Sequence, residues 1–469
     1  MTNLSATSPT PSLGWLKVDR GPVLVVAAAF VIGAAAIAQI VDMRQATLFL
    51  IGGLLGATLY HASFGFTGGW RRLVVERRGA AVRAQMLMVA IAAVVFIPLL
   101  AQGSAFGRPL AGAVAPVGAS VLVGAAMFGL GMQLGGGCGS GTLFTVGGGS
   151  ARMLVTLAFF ILGALIGTAH LPWWLAQPSL PTISLGTSLG VPLAIAVTFV
   201  GLAAVALVTV LIERRAHGTL EAPKKPSAVG AARLLQGPWP LLGAAVLLAL
   251  LNIATLLIAG HPWSITYGFG LWGAKLADAV GVPVASWPFW TNPAQALALN
   301  RSVLFDITSV MNFGILLGAA LAAGLAGKFA PKAKLPLLSA LAAAIGGILM
   351  GYGARLSFGC NIGALFSGIA IVASFCFLSI VDSTTAKLGA LYAEKQVLYD
   401  RHRGLEALMR EIGLAETLAR SPVVLAWAAD ERDPDLRRRG LAELEHYRLA
   451  FRDKSYFLVI DDSGNYYFN

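Results

Sequence analysis

The sequence predicts an all-α integral membrane protein, an inverted repeat of transmembrane and short broken helices, with a small partial α+β segment at its C-terminal end. Three observations predict it. Hydrophobic residues make up 57% of the 469 and charged residues 12%, whereas a soluble domain averages about 45–50% apolar and about 25% charged. Apolar runs approaching the roughly 20 residues needed to cross a bilayer recur through the first 380 residues. A glycine-cysteine motif occurs twice.

Taken in order, residues 1–20 are polar and then basic at Lys17 and Arg20, without the short apolar region and cleavage site of a signal peptide. They read as a cytoplasmic tail. Spans are expected at 23–41, 85–101, 117–134, 153–171, 191–212, 241–258, 315–328 and 336–354, with shorter apolar pieces between them. The net charge of +12 gathers in short loops, 71–83, 214–233 and 328–334. Excess Lys and Arg marks cytoplasmic loops, and no aromatic-basic stripe accompanies them, so nucleic acid is not an expected partner. The lipid bilayer is. Trp263, Trp272, Trp287 and Trp290 read as an interfacial aromatic belt, and Lys275 and Asp306 as ordinary loop charges. The expected divisions are a tail at 1–20, a first repeat half at 21–215, a basic cytoplasmic loop at 216–238, a second half at 239–382 and a C-terminal segment at 383–469.

The repeat rests on two segments. Phe128-Gly-Leu-Gly-Met-Gln-Leu-Gly-Gly-Gly-Cys138-Gly-Ser-Gly-Thr-Leu-Phe144 and Met350-Gly-Tyr-Gly-Ala-Arg-Leu-Ser-Phe-Gly-Cys360-Asn-Ile-Gly-Ala-Leu-Phe366 share G-x-G-x-x-L-x-x-G-C-x-x-G-x-L-F. A weaker match pairs Ser63-Phe-Gly-Phe-Thr-Gly with Thr266-Tyr-Gly-Phe-Gly-Leu. With the basic loops inside, the helix before Cys138 runs inward and the helix before Cys360 runs outward. Antiparallel equivalents define an inverted repeat, an architecture typical of transporters, with the site near the midplane.

Glycine costs a helix about 1 kcal/mol relative to Ala, so the glycine-dense stretch 131–141 is expected to break its helix. Broken backbone at membrane depth is tolerated where protein or a water-filled cavity satisfies it. The short helix after the break then aims its positive dipole end at the break, which favours an anion. Candidate binding residues are Cys138 with Gly137, Gly139 and Gly141, and Cys360 with Gly359 and Gly363. Glycines here also serve plain helix packing, and a lone membrane cysteine is ordinarily a small buried hydrophobe. Repetition of the unit favours the binding reading. Arg355 either neutralises the anion or snorkels to the interface. Cys376 has no repeat mate and reads as structural.

Three scattered cysteines, with no C-x-x-C and no paired histidines, support neither a metal site nor a disulfide framework. No Walker sequence is present. No cofactor is expected, and the chain does not read as an enzyme: a redox role for Cys138 and Cys360 needs a resolving partner that no motif supplies.

The paired motifs, with Ser63-Phe-Gly-Phe-Thr-Gly-Gly-Trp-Arg-Arg before the first, resemble the YeeE/YedE family of sulphur transport proteins over about residues 20–370. The resemblance implies thiosulfate uptake across the bacterial inner membrane, with weak S–H···S hydrogen bonds from cysteine thiols along a central path. A small cytoplasmic sulphur-relay protein is an implied partner. Cys138 and Cys360 match the family's second and third cysteines. Gly65 stands where the family often has its first, which implies weaker binding there or another sulphur-containing anion. A donating thiol must be neutral, since a thiolate repels a dianion.

From about residue 386 the chain turns Glu-, Arg-, Asp- and Leu-rich. Helical spacing runs over 388–418, then a strand-turn-strand signal at 456–468. Ser421-Pro-Val-Val-Leu-Ala-Trp and Ser455-Tyr-Phe-Leu-Val-Ile-Asp-Asp-Ser-Gly resemble the start of an extracytoplasmic Cache-type sensor domain. The resemblance implies a partial segment, fused or truncated. It also defines the alternative function, a membrane-anchored extracytoplasmic sensor.

Overall fold

The computed structural model describes residues 18–112, 115–180, 185–222, 231–329, 335–369 and 409–451, with 456–460, 463 and 465–468 beyond them. The chain divides into two compact units, Met1–Ala390 and Leu391–Asn469. In the first unit the helices are α1 (Arg20–Ile40), α2 (Met43–Ala62), α3 (Phe66–Val75), α4 (Ala80–Gln102), α5 (Ala119–Gly135), α6 (Gly139–Gly147), α7 (Ala151–Leu175), α8 (Leu185–Leu189), α9 (Val191–His217), α10 (Ala231–Gln236), α11 (Leu241–Ala259), α12 (Thr266–Ala279), α13 (Pro293–Asn300), α14 (Ile307–Leu325) and α15 (Leu337–Leu356). A π-helical turn, Asn361–Phe366, and a short α16 (Ser367–Ile369) follow. Two pairs of two-residue strands are the only sheet among its described residues.

Nine stretches among the described residues are long and apolar enough to cross a membrane. Their outward surfaces require lipid. In α1, mean hydropathy is 2.5 and only 6% of the span is buried. In α9, Val200 is 71% and Leu207 59% exposed. A water-facing protein does not carry apolar faces of that extent. The chain is a multi-pass, all-α integral membrane protein.

Sequence reading counts α2 among the shorter apolar pieces, yet it heads one of the nine spans. Its stretch has a mean hydropathy of only 1.4, but 67% of it is buried. α2 lies inside the bundle against α14, where glycines matter more than apolar bulk. A Cβ at Gly56 would strike the backbone carbonyl of Ile315, and one at Gly318 that of Gly53. Lipid gives no hydrophobic drive for helix pairing, so close backbone approach supplies the contact. The same device joins α5 to α15 through Gly131 and Gly346.

Helix pairing is reciprocal. α2 packs on α14 while α11 packs on α4; α1 packs on α14 while α9 packs on α4; α5 and α15, which carry the two motifs, pack on each other. The weaker sequence match also falls at equivalent places. A long helix breaks at Ser63–Gly65 before α3 and at Gly260–Ile265 before α12. Helix starts align Phe66 with Thr266, three residues off the sequence pairing.

The basic loops are partly self-neutralised. Glu213, fully buried near the end of α9, pairs with Arg83 at 2.8 Å and Arg78 at 3.2 Å. It also accepts from the amides of Gly79 and Glu221. The aromatic-belt expectation fails for Trp263 and Trp290, which are 0% and 1% exposed. Trp290 donates to Thr168 inside the protein, and Trp272 donates to Ser309 and stacks on Phe313. Lys275 and Asp306 are structural: Lys275, within α12 and not in a loop, donates to the carbonyls of Leu299 and Arg301 at the end of α13, and Asp306 caps α14 through Ser309.

In the second unit, a helix over 409–419 is followed by helices Pro422–Ala429 and Pro434–Ala450 and an antiparallel strand pair, Phe457–Ile460 with Asn465–Phe468. The strand-turn-strand signal is thus met. Trp427, fully buried, organises this unit against Gly440 and Tyr467. Cys376 lies outside the described residues.

Candidate functional site

Both glycine-cysteine motifs break their helices, and at equivalent points. α5 ends with Gly136 in the left-handed region, φ +89°, and α6 opens with Cys138 as its N-cap. α15 ends at Leu356, Phe358 adopts φ +58°, and the π-helical turn opens with Cys360 as its N-cap. Each cysteine therefore stands where free amides begin, at the positive end of a short helix.

The two caps meet. A Cβ placed on Gly139 would lie 3.2 Å from Cys360 Sγ and 3.6 Å from Ile265 Cγ2. Gly139 directly follows Cys138, so the thiol of the second motif rests on the first turn of the helix capped by the first. Ile265 is itself the N-cap residue of α12, which brings three half-helix starts to one place. Both cysteines are buried, at 1% and 2% exposure, and neither is in a disulfide. Cys138 Sγ accepts from the Gly141 amide at 3.4 Å and lies 3.4 Å from Ser140 Oγ.

The remaining sequence-predicted residues divide. Gly137 packs on the backbone of Gly141. Gly359 and Gly363 face each other across the second break, and the nearest contact to a Cβ on Gly363 would be Ser264 Oγ at 3.8 Å. Arg355 is set apart. Its guanidinium stacks on Phe289, 4.2 Å from the ring centroid, and lies 5.8 Å from the Tyr267 ring. It has no carboxylate within ion-pair distance among the described residues, and its Nε lacks a hydrogen-bond partner there. That is a cation held by aromatic faces, a favourable arrangement in its own right, and it does not snorkel outward.

Sequence reasoning missed the polar pins around the breaks. Asn312 Nδ2 donates to the Ile265 carbonyl. Asn252 accepts from the Trp263 amide, and Ser367 donates to the Trp263 carbonyl. An intramembrane Asn is the signal that points to them, because a buried amide needs a partner. Gly65, the N-cap residue of α3, has only Gly68 N within 4 Å of an added Cβ, at 3.9 Å.

Buried polar breaks, reciprocal helix pairs and a lipid-facing exterior define a multi-pass membrane transport protein. The sulphur transport family matches residues 61–389, and the chain belongs to that family. It is 26% identical over 361 residues to the thiosulfate transporter TsuA of Spirochaeta thermophila, covering 71% of this chain and 94% of that one. It is 26% identical over 323 residues to TsuA of Escherichia coli, covering 67% and 84%. Against the probable transporter YedE of Escherichia coli it is 27% identical over 187 residues, 39% of this chain and less than half, 44%, of that relative.

Proposed function

We propose that the protein carries thiosulfate, or a closely related small sulphur-containing anion, across the bacterial inner membrane past Cys138 and Cys360. The observation that carries this reading is the contact of Cys360 Sγ with the Gly139 turn. It joins two thiols and their half-helix N-termini at one buried point. Amide dipoles there favour an anion, and neutral thiols offer weak donors that hold sulphur without trapping it. Thiosulfate is the substrate in the name of the two TsuA relatives, and it suits thiols better than an oxygen-only anion does. Arg355 supplies an unpaired cation. No bond to substrate forms or breaks, so no enzyme chemistry is assigned.

The reciprocal helix pairs support an inverted repeat, but with α9 as the counterpart of α1, so that α9 opens the second half and the basic loop 216–238 falls within that half, not between 21–215 and 239–382. That arrangement, with the charge bias of the loops, favours a cytoplasmic N-terminus. A small cytoplasmic sulphur-relay protein is a fitting recipient for the anion. The test is uptake of labelled thiosulfate into proteoliposomes. The wild type is expected to take it up, and Cys360→Ala to reduce uptake at least tenfold. A folded wild type that takes up none refutes the proposal.

A further inference from the structure

α6 has Cys138 at one end and, at the other, a cavity of about 470 Å³. The helix has nine residues, which sets the two about 13 Å apart at 1.5 Å per residue. Tyr60, Ser63, Thr145, Ser150, Arg152 and Lys328 are among the residues that line it. Neither Asp nor Glu is among its lining residues; the Asp19 carboxylate accepts from the Phe329 amide beside Lys328, and Arg152 has no carboxylate within ion-pair distance among the described residues. Helices α2, α6 and α14 end here, and helix ends carry partial negative charge. Those ends are closed locally: Gly148, Gly149 and Ser150 amides satisfy carbonyls of α6, and Gly327 and Lys328 amides those of α14. In contrast α7 opens here, with Ser150 as its N-cap.

Arg152 connects this cavity to the cysteine break. It donates to the Leu134 carbonyl at 2.8 Å, and its Nη1 would lie 3.3 Å from a Cβ on Gly136, two residues before Cys138. Its Nε is buried and has no partner among the described residues. Arg152 stands in the first turn of α7, whereas Arg355 packs against Gly167 of the same helix. Fifteen residues of helix put those levels about 22 Å apart.

We propose that this cavity is a second anion-binding site, a vestibule in which Arg152 and Lys328 hold a small oxyanion on its way to or from the cysteine pair. Only its place on a transport path rests on the function proposed above; anion binding stands without it. Arg152 hands the charge between the glycine break and the open space, and Lys328 at the rim raises the local anion concentration.

The test measures equilibrium binding of labelled thiosulfate and of labelled sulfate to the purified full chain in detergent. The background is Cys138→Ala with Cys360→Ala, which removes both thiols and leaves the cavity intact. Binding is expected to persist there, to fall at least tenfold with Arg152→Gln added, and to return with Arg152→Lys. Lys328→Gln, which leaves the backbone amide that closes α14 in place, keeps the test valid if Arg152→Gln unfolds the α5 end, and is expected to weaken binding severalfold in a salt-dependent way. Binding in that background unchanged by Arg152→Gln and Lys328→Gln overturns the vestibule, as does complete loss of binding with the two thiols. Persistent, charge-dependent binding without transport by the wild type upholds the vestibule and sinks the transport reading alone.

Discussion

The two cysteine motifs share a sequence pattern and differ in how their breaks are built. Cys138 caps a regular nine-residue α-helix and takes part in the cap, its sulphur accepting from Gly141. Cys360 precedes a π-helical turn, and its side chain makes no capping hydrogen bond. Its break is also tighter, with Phe358 and Gly359 both at positive φ. π-helical turns concentrate at functional sites and are held by surrounding structure. The comparison separates one thiol with a structural duty from one held mainly by its surroundings.

The sharpest break of that comparison is at the glycines before the cysteines. At Gly359, with φ +157°, a Cβ would lie 2.9 Å from the Ala364 amide nitrogen. Gly359→Ala is expected to cost about 1–3 kcal/mol, seen as a lower midpoint in thermal unfolding of the purified protein. The matching Gly137→Ala meets nothing closer than 3.4 Å and is expected to leave the midpoint nearly unchanged. Equal losses would show that the two breaks are equivalent after all.

A smaller effect divides the thiols. Cys138→Ala removes a cap and is expected to cost about 0.5–1 kcal/mol, toward the low end for lost caps because sulphur is a weak acceptor. Cys138→Ser keeps an acceptor and is expected to retain stability while uptake falls. Cys360→Ala is expected to impair uptake with no loss of a cap. Uptake by Cys138→Ser equal to the wild type would reduce the first thiol to its structural duty.

The smallest difference lies after the cysteines. Gly139→Ala presses on Cys360 Sγ at 3.2 Å, whereas Gly363→Ala has open room to 3.8 Å. The first is expected to lower thiosulfate uptake severalfold and the second to leave it within about twofold, both with wild-type melting curves. A larger effect from Gly363→Ala would move the binding point toward Ser264.

Much of this was legible beforehand, for identifiable reasons. Helix breaks at Cys138 and Cys360 follow from local glycine content, because backbone propensity acts within a few residues. α2 was hidden because its glycines and its lower hydropathy make sense only against α14. Trp263 and Trp290 fit a surface belt by composition, but whether indole faces lipid or core depends on neighbours more than 100 residues away, such as Thr168 for Trp290. Arg355 was evenly poised between two roles until Phe289 was found over its guanidinium.

By itself the sequence determined that the chain lives in a membrane and where its helices break. These depend on local composition, on hydrophobic length set by the bilayer, and on a motif that carries its own repeat. Only the tertiary structure decided that the caps meet, through Cys360 on Gly139, and that a basic cavity lies beyond α6. Such contacts join residues more than 200 positions apart, and no local preference encodes a distance between two helix ends that packing alone brings together.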